Sequence, residues 1–261
     1  MAVELDVAQP VLLAPGEGEV VNDRPEHTVR ILFSHELMDA TWSTFGPHEP
    51  GATPHIHREH TDSFYVLEGE LTFRIGPDLE PVRARAGTFV AVPPNLIHAF
   101  ANEAGEGARF LNFHTASGGF ADYMRGKAPG FDAFDPPGDG GEPPSAAIVS
   151  PPGGGEQLAR GDLAHYIKAQ LPHLAAIEES FPPGWEVEPH SHADHVDSFF
   201  VLEGEVEFLN STGGPGTFVA APPNAVHGFK ILGDRPSTSV LNIHAPDTGF
   251  ADRMRAFKPS A

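Results

Sequence analysis

The sequence predicts an all-β protein built as two tandem small β-barrels with a few short helices. Three observations carry that reading: an internal repeat, a high density of chain-breaking residues, and short strand-forming runs at regular spacing. The repeat shows in three ordered blocks. DSFYVLEGE at 62–70 returns as DSFFVLEGE at 197–205, and GTFVAVPPNLIHAF at 87–100 returns as GTFVAAPPNAVHGF at 216–229. LNFHTASGGFADYMR at 111–125 returns as LNIHAPDTGFADRMR at 241–255. Blocks of this quality in the same order make the 261-residue chain two copies of one domain. Its 28 Gly and 27 Pro, about a fifth of the residues, would interrupt long helices but suit a turn-rich sheet protein.

Each element follows from its own residues. FYVLEGELTFRI holds two β-rich runs around Glu-Gly, which predicts a hairpin or a tight connection between strands. GTFVAVPP is a short strand that ends at a double proline, because proline cannot donate to a ladder. ARFLNFH is a further strand after a Gly-rich turn. GFADYMR and GFADRMR are the short helical segments, with Asp122/Arg125 and Asp252/Arg255 paired at i, i+3. Residues 126–146, GKAPGFDAFDPPGDGGEPPSA, cannot bury much apolar surface and read as a linker, which Phe131 and Phe134 can pin to a barrel surface. The expected domains are a first barrel at 1–125, a linker at 126–145 and a second barrel at 146–261.

Composition removes several function classes. With 36 acidic against 16 basic residues the formal charge is −20, which repels phosphate backbones and anionic membranes, so neither nucleic acid nor membrane is an expected partner. No cysteine is present, so disulfides, thiol nucleophiles and cysteine-based metal sites are excluded. MAVELDVAQP lacks the features of a signal peptide and no run of apolar residues is long enough to span a bilayer, so a cytoplasmic location is expected.

The 15 histidines fall on the repeat. His55, His57, His60, His98 and His114 of the first copy match His190, His192, His195, His227 and His244 of the second; His27, His35, His48, His165 and His173 have no counterpart. His55-x-His57 puts two imidazoles on one face of a strand, because side chains alternate with period two. His98 can bring a third nitrogen from another strand and Asp62 an oxygen. Three neutral nitrogens with one carboxylate suit Fe, Mn, Ni, Cu or Zn.

His-x-His, four residues, an acid, six residues and Gly resembles the first signature of the cupin superfamily. GTFVAVPPNLIH, with Gly87, Pro93, Asn95 and His98, resembles the second. Both recur, through His190, His192, Asp197 and Gly204, and then Gly216, Pro222, Asn224 and His227. The resemblance implies a bicupin of two double-stranded β-helix barrels, similar to quercetinase-like dioxygenases, with a divalent transition metal in each barrel. The implied metal ligands are His55, His57, Asp62 and His98, then His190, His192, Asp197 and His227. Two departures stand out. The acid is Asp62 or Asp197 where the family usually has Glu, so either the shorter side chain still reaches, or His60 and His195 substitute, or neither does. Asn95 and Asn224 replace a common Gly, and both residue types tolerate left-handed backbone.

The remaining matched residues extend this picture. Asp62 and Asp197 are candidates for catalysis as ligand or base. His114 and His244 are candidates for second-layer hydrogen bonds or for substrate contact and proton transfer. Phe64, Phe100, Phe199 and Phe229 share the parity of the inward-facing ligands and can line an apolar pocket or pack the core. The expected function is a metal-dependent dioxygenase acting on a small organic substrate. Arg58, Arg74, Arg109 and Lys230 are the few bases near the motifs, which favours an uncharged aromatic one. A non-catalytic metal or small-molecule binder, or an isomerase, decarboxylase or aminohydrolase on the same barrel, are the alternatives, since this fold hosts many chemistries. Two barrels in one chain are compatible with a monomer or a homodimer.

Overall fold

A computed structural model describes residues 8–160 and 163–256. The chain divides into two units, one of residues 18–156 with 168–174, the other of the described residues of 1–17, 157–167 and 175–261. No described helix is long and apolar enough to cross a membrane.

The first unit packs a seven-stranded antiparallel sheet against a three-stranded one. The large sheet runs in the order Ile148–Ser150, Phe89–Val92, Thr61–Glu68, Ala108–Thr115, Met38–Phe45, His27–His35 and Glu19–Arg24. The small sheet has Glu70–Ile75 between Glu80–Arg85 and His98–Ala101. Alternation along each strand sends one set of side chains inward, and both sheets contribute to a core of Phe64, Val66, Leu71, Phe73, Val90 and Phe110. Burial of that aromatic and aliphatic area is the main term holding the sheets together.

The second unit repeats the plan. Its large sheet orders Val11–Leu13, Phe218–Ala221, Val196–Glu203, Thr238–Ala245, Leu174–Phe181, Leu163–Leu171 and Glu156–Arg160. Its small sheet orders Glu186–His190, His227–Leu232, Glu205–Phe208 and Ser211–Gly213. Phe181, Phe199, Val201, Val206, Phe208 and Phe229 form its core. The short helices lie where the GFAD-x-MR blocks predict them, at Phe120–Met124 and Phe250–Ala256, each with its i, i+3 ion pair.

Two local features differ from what the chain order suggests. Val11–Leu13 pairs with Phe218–Ala221 of the second repeat, and Ile148–Ser150 pairs with Phe89–Val92 of the first. Each large sheet therefore gains an edge strand from outside its own repeat, whereas the sequence boundaries assign 1–125 and 146–261 to single barrels. The Glu-Gly segment is not a hairpin. Thr61–Glu68 pairs with Phe89–Val92 and Ala108–Thr115, while Glu70–Ile75 belongs to the small sheet. Gly69 (φ 71°) and Gly204 (φ 88°) turn the chain between sheets, and a Cβ there would collide with the Gly107 carbonyl or the Thr238 side chain.

Phe73 is fully buried at the centre of the first core. Phe73→Ala is expected to destabilise the protein by about 3–5 kcal/mol through lost burial and the cavity left behind, read as a lower urea midpoint.

Candidate metal centres and cavity

The double-proline turns and the His-x-His segments are built as one piece. After Pro93-Pro94 the chain enters left-handed backbone at Asn95 (φ 63°), and the Asn95 amide donates to the His57 carbonyl at 2.6 Å. Asn224 (φ 67°) does the same to His192 at 2.6 Å. His55 and His98 exchange backbone hydrogen bonds of 3.0 Å each, so the first and third ring of the set face one another by register. In the second copy His190 and His227 are likewise paired across strands.

Hydrogen bonds on the outer nitrogens then aim the rings. His55 Nδ1 donates to the Thr53 carbonyl at 2.7 Å, His57 Nδ1 to that of Asp132 at 2.5 Å, and His98 Nδ1 to that of Leu96 at 2.9 Å. A carbonyl can only accept, so each neutral ring carries its proton outside and turns the Nε2 lone pair inward. His55 Nε2 and His57 Nε2 stand 3.2 Å apart, and Asp62 Oδ2 lies 3.5 Å from His57 Nε2 and 3.4 Å from His98 Nε2. His98 Nε2 is buried with no hydrogen-bond partner among the described residues. Lone pairs and a carboxylate crowded in this way repel unless a cation lies among them. The spacings match ligands about 2.1 Å from one ion, which stand about 3.0–3.4 Å apart in octahedral or tetrahedral arrangements. His55, His57, Asp62 and His98 therefore fit a metal ion.

Asp62 reaches this group although it is one methylene shorter than Glu. It is buried, and burial works against its ionisation. His114, His57 and His98 outweigh that and hold its carboxyl well below the usual range. Asn112 Nδ2 donates to Asp62 Oδ1 at 2.5 Å, which leaves Asn112 Oδ1 to accept from His114 Nε2 at 2.9 Å. His60 is engaged at both nitrogens, with Asp132 Oδ2 at 2.8 Å and His114 Nδ1 at 3.0 Å, although it also forms a second cluster with His57 and His114. Burial lowers the pKa of His60 and His114, and takes His55, with help from His98 and His57, down to about 4.

The second centre has the same plan. His190 Nδ1 donates to the Glu188 carbonyl at 2.9 Å and His227 Nδ1 to that of Ala225 at 3.0 Å. Asp197 Oδ2 lies 3.1 Å from His227 Nε2 and 3.7 Å from His192 Nε2, with Asn242 Nδ2 donating to Asp197 Oδ1 at 2.6 Å. His190, His192, Asp197 and His227 form the matching donor group. Burial opposes ionisation of Asp197, and His244, His192 and His227 overcome it.

The copies differ in what covers them. Residues 131–134, read from sequence as linker, lie over the first centre. Phe131 packs near His57, Phe120 and Tyr123, the Phe134 amide and carbonyl bond Ile56, and Arg58 stacks on the Phe134 ring. The Asp132 carboxylate accepts from the Arg58 and Glu59 amides and from His60, which holds its pKa low despite burial. His57 is 2% exposed as a result, whereas the side chain of His192 is 24% exposed and no described carbonyl meets its Nδ1.

The second centre opens instead into a cavity of about 250 Å³. His190, His192, Asp197, Asn242 and His244 form its polar part, and Phe181, Trp185, Phe199, Phe229, Phe250 and Met254 its apolar walls. Phe199 and Phe229 both pack the core and line this cavity, while Phe64 and Phe100 pack edge-on or tilted against Phe73, Phe110 and each other in the first core. His244 lies flat on Phe250 with ring centroids 3.9 Å apart, and burial takes its pKa down to about 4. Sequence reasoning passed over three residues here. Asp132 lay in a low-complexity stretch, Trp185 lay between the matched blocks, and Arg253, also on the cavity wall, was the variable position of GFAD-x-MR. The mismatch of Tyr123 with Arg253 inside otherwise identical blocks was the one available signal.

Comparison with known proteins bears on the family and the fold. The family model described as "Cupin domain" matches twice, at residues 41–114 and 177–244, more than half of the chain. Quercetin 2,3-dioxygenase of Bacillus subtilis is 30% identical over 97 residues, spanning 36% of this chain and 28% of that protein. A glyoxylate-induced protein of Pseudomonas aeruginosa superposes with a TM-score of 0.66 at 15% identity, covering 93% of this chain and 90% of that one. Bacillus subtilis oxalate decarboxylase gives a TM-score of 0.61 at 14% identity, covering 91% and 76%. A bacterial pirin from Escherichia coli, solved with nickel(II), gives 0.60 at 13% identity, covering 92% and 100%. At these identities the solved structures speak to fold alone. With both copies matched by one family model and both folded as barrels, the chain belongs to the cupin family as a bicupin.

Proposed function

We propose that the protein is a metal-dependent dioxygenase acting on a small aromatic molecule, with turnover at the second centre. The observation that carries this reading is the union, in one place, of a three-histidine, one-carboxylate donor set and an aromatic-walled cavity of substrate size. A divalent transition metal held by His190, His192, His227 and Asp197 would supply Lewis acidity toward a substrate oxygen. The protein's own groups do the rest. Phe199, Phe229 and Phe250 exclude water and align a planar ring. Asn242 ties down Asp197 Oδ1, leaving Oδ2 as ligand or as acceptor for a substrate hydroxyl proton. The partial likeness to a quercetin dioxygenase is consistent with this chemistry.

The first centre suits a different role. Its donors match those of the second, but residues 131–134 cover it. A metal held there would brace the first barrel without admitting substrate.

Three outcomes follow. Purified protein is expected to carry about two transition-metal ions per chain by elemental analysis, and to consume oxygen with small aromatic substrates only when metal-loaded. Near-zero metal after chelator-free purification would sink the reading. His192→Ala and His57→Ala should each remove about one ion, with the loss of oxygen uptake at least roughly tenfold greater for His192→Ala. Acid should weaken the metal-free fold. His55 and His244 stay neutral in the fold down to about pH 4, whereas unfolded histidine takes a proton near 6.5. Their contribution is present above about pH 6.5 and lost as pH falls toward 4, and His227, shifted up beside Asp197, opposes it as a single ring. Thermal melts should therefore fall between pH 7 and 4.5; a rise would contradict the assigned neutral rings.

A further inference from the structure

We infer that the cavity of the second copy selects a single-ring aromatic monocarboxylate, with its carboxylate held at the cavity wall by Arg253. This deepens, and rests on, the reading of the second centre as the working site.

Arg253 lines the cavity, and its neighbours among the described residues leave most of its guanidinium unused. Nη1 donates to the Thr248 carbonyl at 3.0 Å, and the group sits 5.7 Å from the Phe250 ring centroid. No carboxylate pairs with it among the described residues. By contrast Arg255 meets Asp252 at 2.7 Å, and Arg125 meets Glu19 at 2.7 Å. In a chain of charge −20, an arginine beside a cavity and without an acidic partner is open to an anion from outside. The first copy has Tyr123 at this position, packed on Phe131, so the charge belongs to the open site alone.

The shape of the cavity narrows the anion. A volume of about 250 Å³ between aromatic walls accommodates a ligand built on one aromatic ring. The guanidinium fork matches a planar carboxylate through two parallel hydrogen bonds. A single cation with Glu179 on the same wall disfavours a multiply charged phosphate. Deeper in, His244 lies 1% exposed, its Nδ1 buried and without a partner among the described residues. Its Nε2 donates to Asn242 Oδ1 at 2.9 Å, and its ring lies beside that of His195 with centroids 4.9 Å apart. Arg253, the Phe250 ring and His244 thus form a layered wall, charged at one end and aromatic behind it. The basic residues near the motifs in sequence pointed to an uncharged substrate; Arg253 reverses that preference.

Isothermal titration calorimetry on the full chain with 4-hydroxybenzoate and its neutral isostere 4-hydroxybenzamide tests this without turnover. The carboxylate should bind about tenfold more tightly, and added salt should erode the difference. Arg253→Gln should bring the two affinities together, while Arg253→Lys should keep part of the preference. Equal affinities in the wild-type chain, or a preference unchanged in Arg253→Gln, would overturn the assignment. A carboxylate preference that vanishes in Arg253→Gln, in a protein that never consumes oxygen, would leave this inference standing and refute the dioxygenase reading.

Discussion

Both centres depend on how the outer nitrogens of five of the six ligand histidines are held. Thr53, Asp132 and Leu96 in the first copy, and Glu188 and Ala225 in the second, offer backbone carbonyls to Nδ1. That single type of hydrogen bond settles the tautomer of those five rings and aims their Nε2 atoms inward. Once the lone pairs converge on a buried carboxylate, the group is electrostatically incomplete without a cation. The bonds from Asn112 to Asp62 and from Asn242 to Asp197 belong to the same logic, since they orient the carboxylates and satisfy one oxygen of each. Burying these charges is costly, and only dense pairing with polar neighbours makes it tolerable.

The duplicated architecture keeps that core arrangement and varies its surroundings. In the first copy Asp132 closes the site twice, once through its carbonyl on His57 and once through its carboxylate on His60 and two amides. In the second copy Asp194, an exposed neighbour in sequence, takes the place of Asp132 on the matching ring, His195. The first copy is therefore covered over His57 and His60 by a segment remote in sequence, while the second borders a cavity. Tyr123 and Arg253 carry the same divergence onto the helices, one against Phe131 of the covering segment and the other on a cavity wall. Two matching donor sets thus sit in unequal surroundings.

Much of this was legible in the sequence. The repeat, the short strands, the two short helices and the histidine spacing all come from local pattern, because strand alternation and turn chemistry act over a few residues. Left-handed backbone at Asn95 and Asn224 could likewise be anticipated from residue type alone. The Glu-Gly connection was harder, since a hairpin and a change of sheet share the same short-range signal. Only the pairing of Thr61–Glu68 with Phe89–Val92 and Ala108–Thr115 separates them.

By itself the sequence determined the barrel class, its duplication and the set of residues able to hold metal, because each is written in spacing within a repeat. Tertiary structure alone decided which strands close the sheet edges, that Asp62 and Asp197 reach the histidines, and that residues 131–134 cover one centre and leave the other open. Those outcomes rest on contacts between segments far apart in the chain, such as Asp132 with His57. Sequence spacing carries no distance information for such pairs.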